Sequence, residues 1–353
     1  MLPEEWPIAA DAADPNAPAR PLVRDRLSTV RVDFFLNPTE RLTEQERALM
    51  TAMLHCLVGD IADEIRAAIP KGMAAAANDD GNLRLIDTLA SARLLDRPAL
   101  VRLLLRRADE ERIATAANAR SGKREARVLQ GLVSHEDGAV AAAAMALILA
   151  RGRRRDRFGQ CLLHFDDLGA DEARTLVHLI CAALRPDLIR TMGSASADQQ
   201  LASAAQRVLA SHDPGSGIEA LTATLVRLLD EEGDLSDDLL VAGAMEGEMT
   251  FVGAALSRRS GIRAEAAMDE LLSGNEKRAM AVLRTAAVTR QVAASLLAGV
   301  GDLLGIPDPG KAIDAFDRFS DAEIEDARTW LTTDSAYQSA VTALGTSHGK
   351  RAF

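Results

Sequence analysis

The sequence predicts an all-α fold: a HEAT-like stack of short antiparallel helix pairs, an irregular α-solenoid divided into two helical blocks. Three observations carry this. Hydrophobic residues make up 48% of the 353 positions but aromatics only 3%, a balance that suits Ala- and Leu-rich helices better than sandwiches or barrels. Apolar residues recur with a period near 3.6 along most of the chain. An apolar residue followed by a capping one recurs at Leu42-Thr43, Leu95-Asp96, Leu235-Ser236 and Phe319-Ser320, at unequal intervals.

Residues 1–21 hold 5 of the 12 prolines and read as a flexible leader. A helical pattern over Leu22–Leu36 is stopped by Asn37-Pro38. Thr43 with Glu46 forms a capping box, and the helix that follows shows Met50, Met53, Leu54, Leu57, Val58, Ile61 and Ile65 on one stripe. Asn78–Asn82 reads as a loop before a helix over Leu83–Ala92. Pro98 opens a helix through Leu100–Leu105, where its missing N–H costs little. Short helices are expected over Ile113–Ala119, Val128–Val133 and Ala139–Ala150. The last is rich in Ala, so neighbours can approach it closely. Phe158–Phe165 and Asp171–Leu184 form the next expected pair.

This N-terminal block spans 22–192. A linker with a short helix covers 193–217, marked by small residues and by SHDPGSG at 211–217. The C-terminal block spans 218–306, and Gly233–Ile262 is its clearest unit. There Ser236 is a cap, Leu235 and Leu240 stand where a hydrophobic staple closes, and a second helix begins near Glu248 with Phe251, Val252 and Leu256. Two such short helices cannot bury their faces alone and must stack on neighbours. Pro307–Gly310 breaks the pattern. Residues 307–353 form a helical extension with a capping box at Ser320 and Glu323 and a frayed tail.

The net charge is −11, which disfavours indiscriminate binding to phosphates or anionic membranes. Its distribution is uneven. Residues 93–157 carry 15 Lys and Arg against 8 Asp and Glu; residues 1–92 carry 9 against 15, and 158–353 carry 17 against 29. Three cysteines give no disulfide framework and suit a reducing compartment. No signal pattern opens the chain and no stretch reaches a membrane span. Cytoplasmic localisation and no membrane contact are therefore expected.

RLTEQERALMTAMLHCLVGDIADEIRAAI, the LLDRPALVRLLL helix and DEEGDLSDDLLVAGAMEGEMTFVGAALSRRSGI together resemble an uncharacterised bacterial family with a HEAT-like helical domain. The resemblance covers Leu22 to about Ile306. It implies architecture and transfers no activity or site. The leader, the Arg151–Arg157 cluster and the segment after Pro307 depart from it.

Arg151, Arg153, Arg154, Arg155 and Arg157 form RGRRRDR, the candidate binding site. Such a cluster suits phosphate or an acidic protein surface, with Arg106, Arg107, Lys123, Arg124 and Arg127 as possible additions. A solvated loop pairing with the chain's own acidic flanks explains it equally. With no aromatic platform expected beside the arginines, nucleic acid ranks below an acidic protein partner. Cys161-x-x-His164 and His178-x-x-Cys181 have zinc-ligand types and spacing, but on antiparallel helices the four do not converge, so no metal is expected. His164, Asp166 and Asp167 lack a nucleophile with a supporting turn, and no catalytic residue or cofactor is assigned. The acidic turn Asp230, Glu231, Glu232, Asp234, Asp237 and Asp238 lacks an EF-hand pattern. The expected function is a cytoplasmic, non-enzymatic, regulatory protein–protein interaction module. The alternative is a nucleic-acid-binding protein or enzyme using the basic island.

Overall fold

In the computed structural model, residues 44–70, 79–121 and 127–347 are described, and among these there are sixteen helices and no strand. In chain order they are α1 (Glu44–Ala68), α2 (Asp79–Ser91), α3 (Pro98–Ser121), α4 (Arg127–Leu132), α5 (Gly138–Arg153), α6 (Ala170–Met192), α7 (Ser194–Ser211) and α8 (Ile218–Glu232). Then follow α9 (Asp237–Met245), α10 (Met249–Ser260), α11 (Ala264–Leu271) and α12 (Glu276–Thr285). The last are α13 (Arg290–Val300), α14 (Pro309–Arg318), α15 (Asp321–Thr332) and α16 (Ser335–Ser347). The fold is an all-α helical stack. The helix expected over Leu22–Leu36 and the cap at Thr43 lie outside the described residues.

The helices close over two apolar cores. The first joins α1 through Met53, Leu57 and Ile61, α2 through Ile86 and Leu89, and the start of α3 through Leu100 and Leu104. It also takes Leu163, Phe165 and Leu168, with Leu176 and Ile180 of α6 and Leu201 and Ala205 of α7. The second holds Ile113 of α3, Leu129 of α4, Val140 and Leu147 of α5, and the inner faces of α8 to α15. The chain therefore alternates: 44–108 in the first core, 113–150 in the second, 163–208 in the first, 218–331 in the second. A solenoid stacks each unit on its sequence neighbours. Here α1 packs on α7, α2 on α6 and α5 on α8, contacts between elements far apart in sequence.

Local chemistry sets the helix starts. Ser236 accepts from the Leu239 N–H at 3.1 Å, and Asp137 from those of Ala139 and Val140 at 2.8 and 2.9 Å. Ser320 and Glu323 form the reciprocal box that the sequence predicts. Asp308 caps α14 with Pro309 in its first turn. α10 lies at the centre of the second core, with every residue from Met249 to Leu256 buried. Gly247 enters it with φ +77°, and a Cβ there would stand 2.6 Å from Ala114 Cα of α3. Only glycine meets both demands.

Several expected elements differ. The two short helices read over Leu100–Leu105 and Ile113–Ala119 are one continuous α3. The polar run between them is a belt of buried ion pairs, not a turn. Phe158–Phe165 is not a helix. Arg155 and Cys161 form an isolated antiparallel bridge, and a 3₁₀ turn follows at Phe165–Asp167. Asp79–Asn82, read as loop, is the first turn of α2. Within 193–217, Ser194–Ser211 is a full helix packed on α6 and α1. Its Ala197, Leu201, Ala204 and Ala205 make a stripe of mostly small residues that supplies few large apolar signals.

Candidate functional site

The five arginines of RGRRRDR sit where α5 ends and the 154–162 turn begins, and the helical period splits them. Arg151 donates to Glu248 of the α9–α10 link. Arg154 is buried: its Nε donates to both carboxylate oxygens of Asp167 at 2.8 and 3.0 Å, and its other nitrogens reach the Ala150 and Ser216 carbonyls at 3.1 Å. Arg155 grips Glu111 of α3 with two bonds of 3.0 and 2.9 Å and donates to the Gly159 carbonyl at 2.6 Å. Arg153 and Arg157 are exposed. Three of the five candidate residues thus hold α5 to α3, to the Phe165–Asp167 turn and to the α9–α10 link.

Arg106, Arg107, Arg112 and Arg120 of the island do the same. Arg106 and Arg107 do not extend a surface patch. Both are buried on α3. Arg106 meets Glu219 and Asp269 at 3.3 Å each, and Arg107 meets Glu110 at 2.9 Å and the Thr250 hydroxyl at 3.1 Å. Arg112 joins Glu46 of α1 at 3.2 Å and donates to the Leu303 carbonyl at 2.9 Å. Arg120 pairs with Asp302 of the turn after α13. These ion pairs form a seam along α3 where the two cores meet. Lys123 and Arg124 lie outside the described residues. Arg127 is exposed at the start of α4.

Burial works against every charge in this seam, so the partners decide which survive. Burial opposes ionisation of Glu110, but Arg107 and Arg151 outweigh it and hold its carboxyl below the usual range. Asp167 follows the same pattern: burial opposes its charge, and Arg154 and Arg107 more than compensate. Glu248 goes the other way. Its burial outweighs Arg151, and its carboxyl is pushed up.

The remaining candidates disperse. His164 is exposed and caps the 3₁₀ turn; its backbone N–H donates to Asp167 at 3.0 Å. Asp167 is not a loop decoration: its side chain is 1% exposed. Burial pushes the thiols of Cys161 and Cys181 up to about 11, and His178 is exposed on α6. Among the described residues, no three His, Cys, Asp or Glu side chains are grouped to hold a metal ion. The acidic turn is largely paired with the chain itself: Asp230 with Arg258, Asp237 with Arg259, Glu231 with Arg227 and Asp234 with His135. One cavity, of about 20 Å³, lies between Ala244, Met249, Leu283 and Val300, and another of about 20 Å³ beside Arg106 and Thr250. Each has room for about one water molecule.

One surface feature was not expected. Phe158 immediately follows Arg157, is 75% exposed, and carries the Arg157 guanidinium 4.7 Å from its ring centre. The arginines do have an aromatic beside them. Its sequence signal was the -Arg-Phe-Gly- turn itself, masked by reading Phe158 as the apolar start of a helix.

Residues 88–329 match a family described as an uncharacterised protein conserved in bacteria (DUF2336). The chain belongs to this family. The matched range spans the Arg151–Arg157 cluster and ends in the last turn of α15, short of α16. It begins at Thr88, in α2, well after Leu22. No curated protein and no solved structure matches the chain. None of the described helices is long and apolar enough to cross a membrane.

Proposed function

We propose that this family member is a non-enzymatic protein–protein interaction module, HEAT-like in its use of stacked helices, cytoplasmic and regulatory in role. The observation that supports this reading is the Arg157–Phe158 turn. It holds an aromatic ring out to solvent with a cation laid on it, next in sequence to arginines whose own acids are already satisfied. Arg and aromatic side chains are the residue types that dominate binding hot spots. Arg157, the outward cation laid on the ring, suits an acidic partner surface. The cavities near α10 and α3 are far below the several hundred Å³ of a ligand pocket, which fits a protein that binds by its surface.

Nucleic acid is the second reading, and Phe158 is what favours it, since bases stack on exposed aromatics. Against it, Arg157 already covers one ring face, three of the five arginines are neutralised internally, and the chain carries −11 overall. The two readings separate in one set of experiments. A photo-crosslinking residue at Phe158, in the native cell, should capture a protein, and Arg157→Glu should abolish capture. Anisotropy against single-stranded and duplex DNA and RNA runs in parallel at about 150 mM salt. Micromolar nucleic-acid binding lost in Phe158→Ala, with no protein captured, would reverse the ranking.

A further inference from the structure

We infer that α5 is a homodimer interface, in which the α5 helices of two copies of this chain pair antiparallel. From Gly138 to Ala150 the helix has no charged residue. A helix apolar on every side is normally buried on every side. Among the described residues, α5 packs through one side, Val140, Ala144, Leu147 and Ala150, against α4 and α8. Its other side is open at Gly138, Ala142, Met145, Leu149 and Gly152. Met145 is 42% exposed and Leu149 54%. These positions step by alternating intervals of four and three residues, the spacing of a coiled-coil seam. Among the described residues, nothing comes within 4 Å of where a Cβ on Gly138 or Gly152 would stand. The room above both is open.

Two features make a second copy the occupant. The first is shape. In the antiparallel register that pairs seam positions, Leu149 of one copy lies over Gly138 of the other, and Met145 over Ala142. Each layer sets a large side chain against a small one, and the pattern is its own complement, as a twofold interface requires. The second is charge. Glu136 stands just before the helix and Arg153 ends it; both are exposed, and neither takes part in an ion pair among the described residues. Antiparallel pairing brings the acidic end of each helix to the basic end of the other. It also opposes the two helix dipoles favourably.

Sixteen residues give a seam about 24 Å long, which buries less than the roughly 800 Å² per partner of a standard interface. A seam this small places the dimer at the weak, transient end of interfaces. Sedimentation of the full chain from about 1 to 300 µM should show reversible monomer–dimer exchange. Leu149→Glu should raise the dissociation constant at least about tenfold. Gly138→Leu should do the same, since a larger side chain there meets the partner's Leu149 but nothing among the described residues of its own chain. Glu136→Arg should weaken the dimer, and adding Arg153→Glu should restore it. Phe158→Ala, which tests the hetero-partner surface, should leave it unchanged. A chain monomeric throughout this range overturns the proposal. So does a dimer indifferent to Leu149→Glu and Gly138→Leu, with circular dichroism showing both variants folded.

Discussion

Asp167 does the most work of any single side chain in the seam. It accepts from Arg154, from the backbone N–H of His164 at 3.0 Å and from that of Ile218 at 2.9 Å, tying the end of α5, the 3₁₀ turn and the start of α8. Asp167→Asn removes the charge that neutralises a buried guanidinium and should cost about 3–5 kcal/mol, read from urea unfolding. The same group sets a pH dependence. Its folded carboxyl titrates below its unfolded value, as does that of Glu110. Their contribution is fully present above the unfolded value, about 4, and is lost as pH falls through the lower folded values. The urea midpoint should therefore fall steeply below about pH 4, and Asp167→Asn should flatten that fall; an unchanged slope would count against Asp167 as the source. The thiols give a separate check. With Cys161 and Cys181 near 11, about 0.1% is thiolate at pH 8. A thiol reagent should modify exposed Cys56 first and the other two only on denaturation. At this scale the sequence located the arginines but not their direction. Glu111, Asp167 and Glu248 are scattered along the chain, and an acid's proximity across a fold leaves no trace in local pattern.

Helices were legible at Ser236 with Leu240 and at Ser320 with Ile324, where a cap and an apolar stripe agree; α14, capped by Asp308 with Ile313 and Phe316 buried, was read only as a break at Pro307–Gly310. They were misread where burial was polar. α3 reads as two helices because Arg106, Arg107, Asp109, Glu110 and Arg112 interrupt its stripe. Those residues are mid-helix, and the ion pairs they make are what let α3 run from one core into the other. α5 was legible as an Ala-rich helix open to close neighbours, but not which side this chain leaves open. Gly247 is the closest backbone approach described between α3 and the Gly233–Ile262 unit, beside the bonds of Arg107 and Glu110 to Thr250. A substitution there must both strain a left-handed backbone and push Cβ into the backbone of Ala114. Gly247→Ala should therefore cost more than about 2 kcal/mol. Gly233→Ala shares the positive φ but has open space around it, so it should cost less, about 1 kcal/mol. Equal losses in urea unfolding of the two variants would mean that the approach to α3 contributes nothing.

The interlacing of the two cores predicts that the molecule unfolds as a single cooperative body. A boundary near 193–217 follows from small residues and the SHDPGSG turn, which are true local features. Yet α5, before that turn, packs its Val140 and Leu147 face on α8, which comes after it. Arg106, also before it, pairs with Glu219 and Asp269 beyond it. Cutting the chain between Asp213 and Pro214 should therefore not release two domains. The fragment 1–213 would expose the α5 and Ile113 surfaces of the second core and leave the charges of Arg106 and Arg154 without Glu219, Asp269 and the Ser216 carbonyl. The fragment 214–353 would lose the cover that α5 gives α8 and the α3 backbone that Gly247 rests on. Each alone should unfold without a sharp urea transition, whereas the two expressed together should copurify as a folded complex. The 214–353 fragment decides the matter: a steep, two-state urea transition for it alone would show that the second core stands without α3 and α5, and that the arginine seam joins two independent units instead of building one.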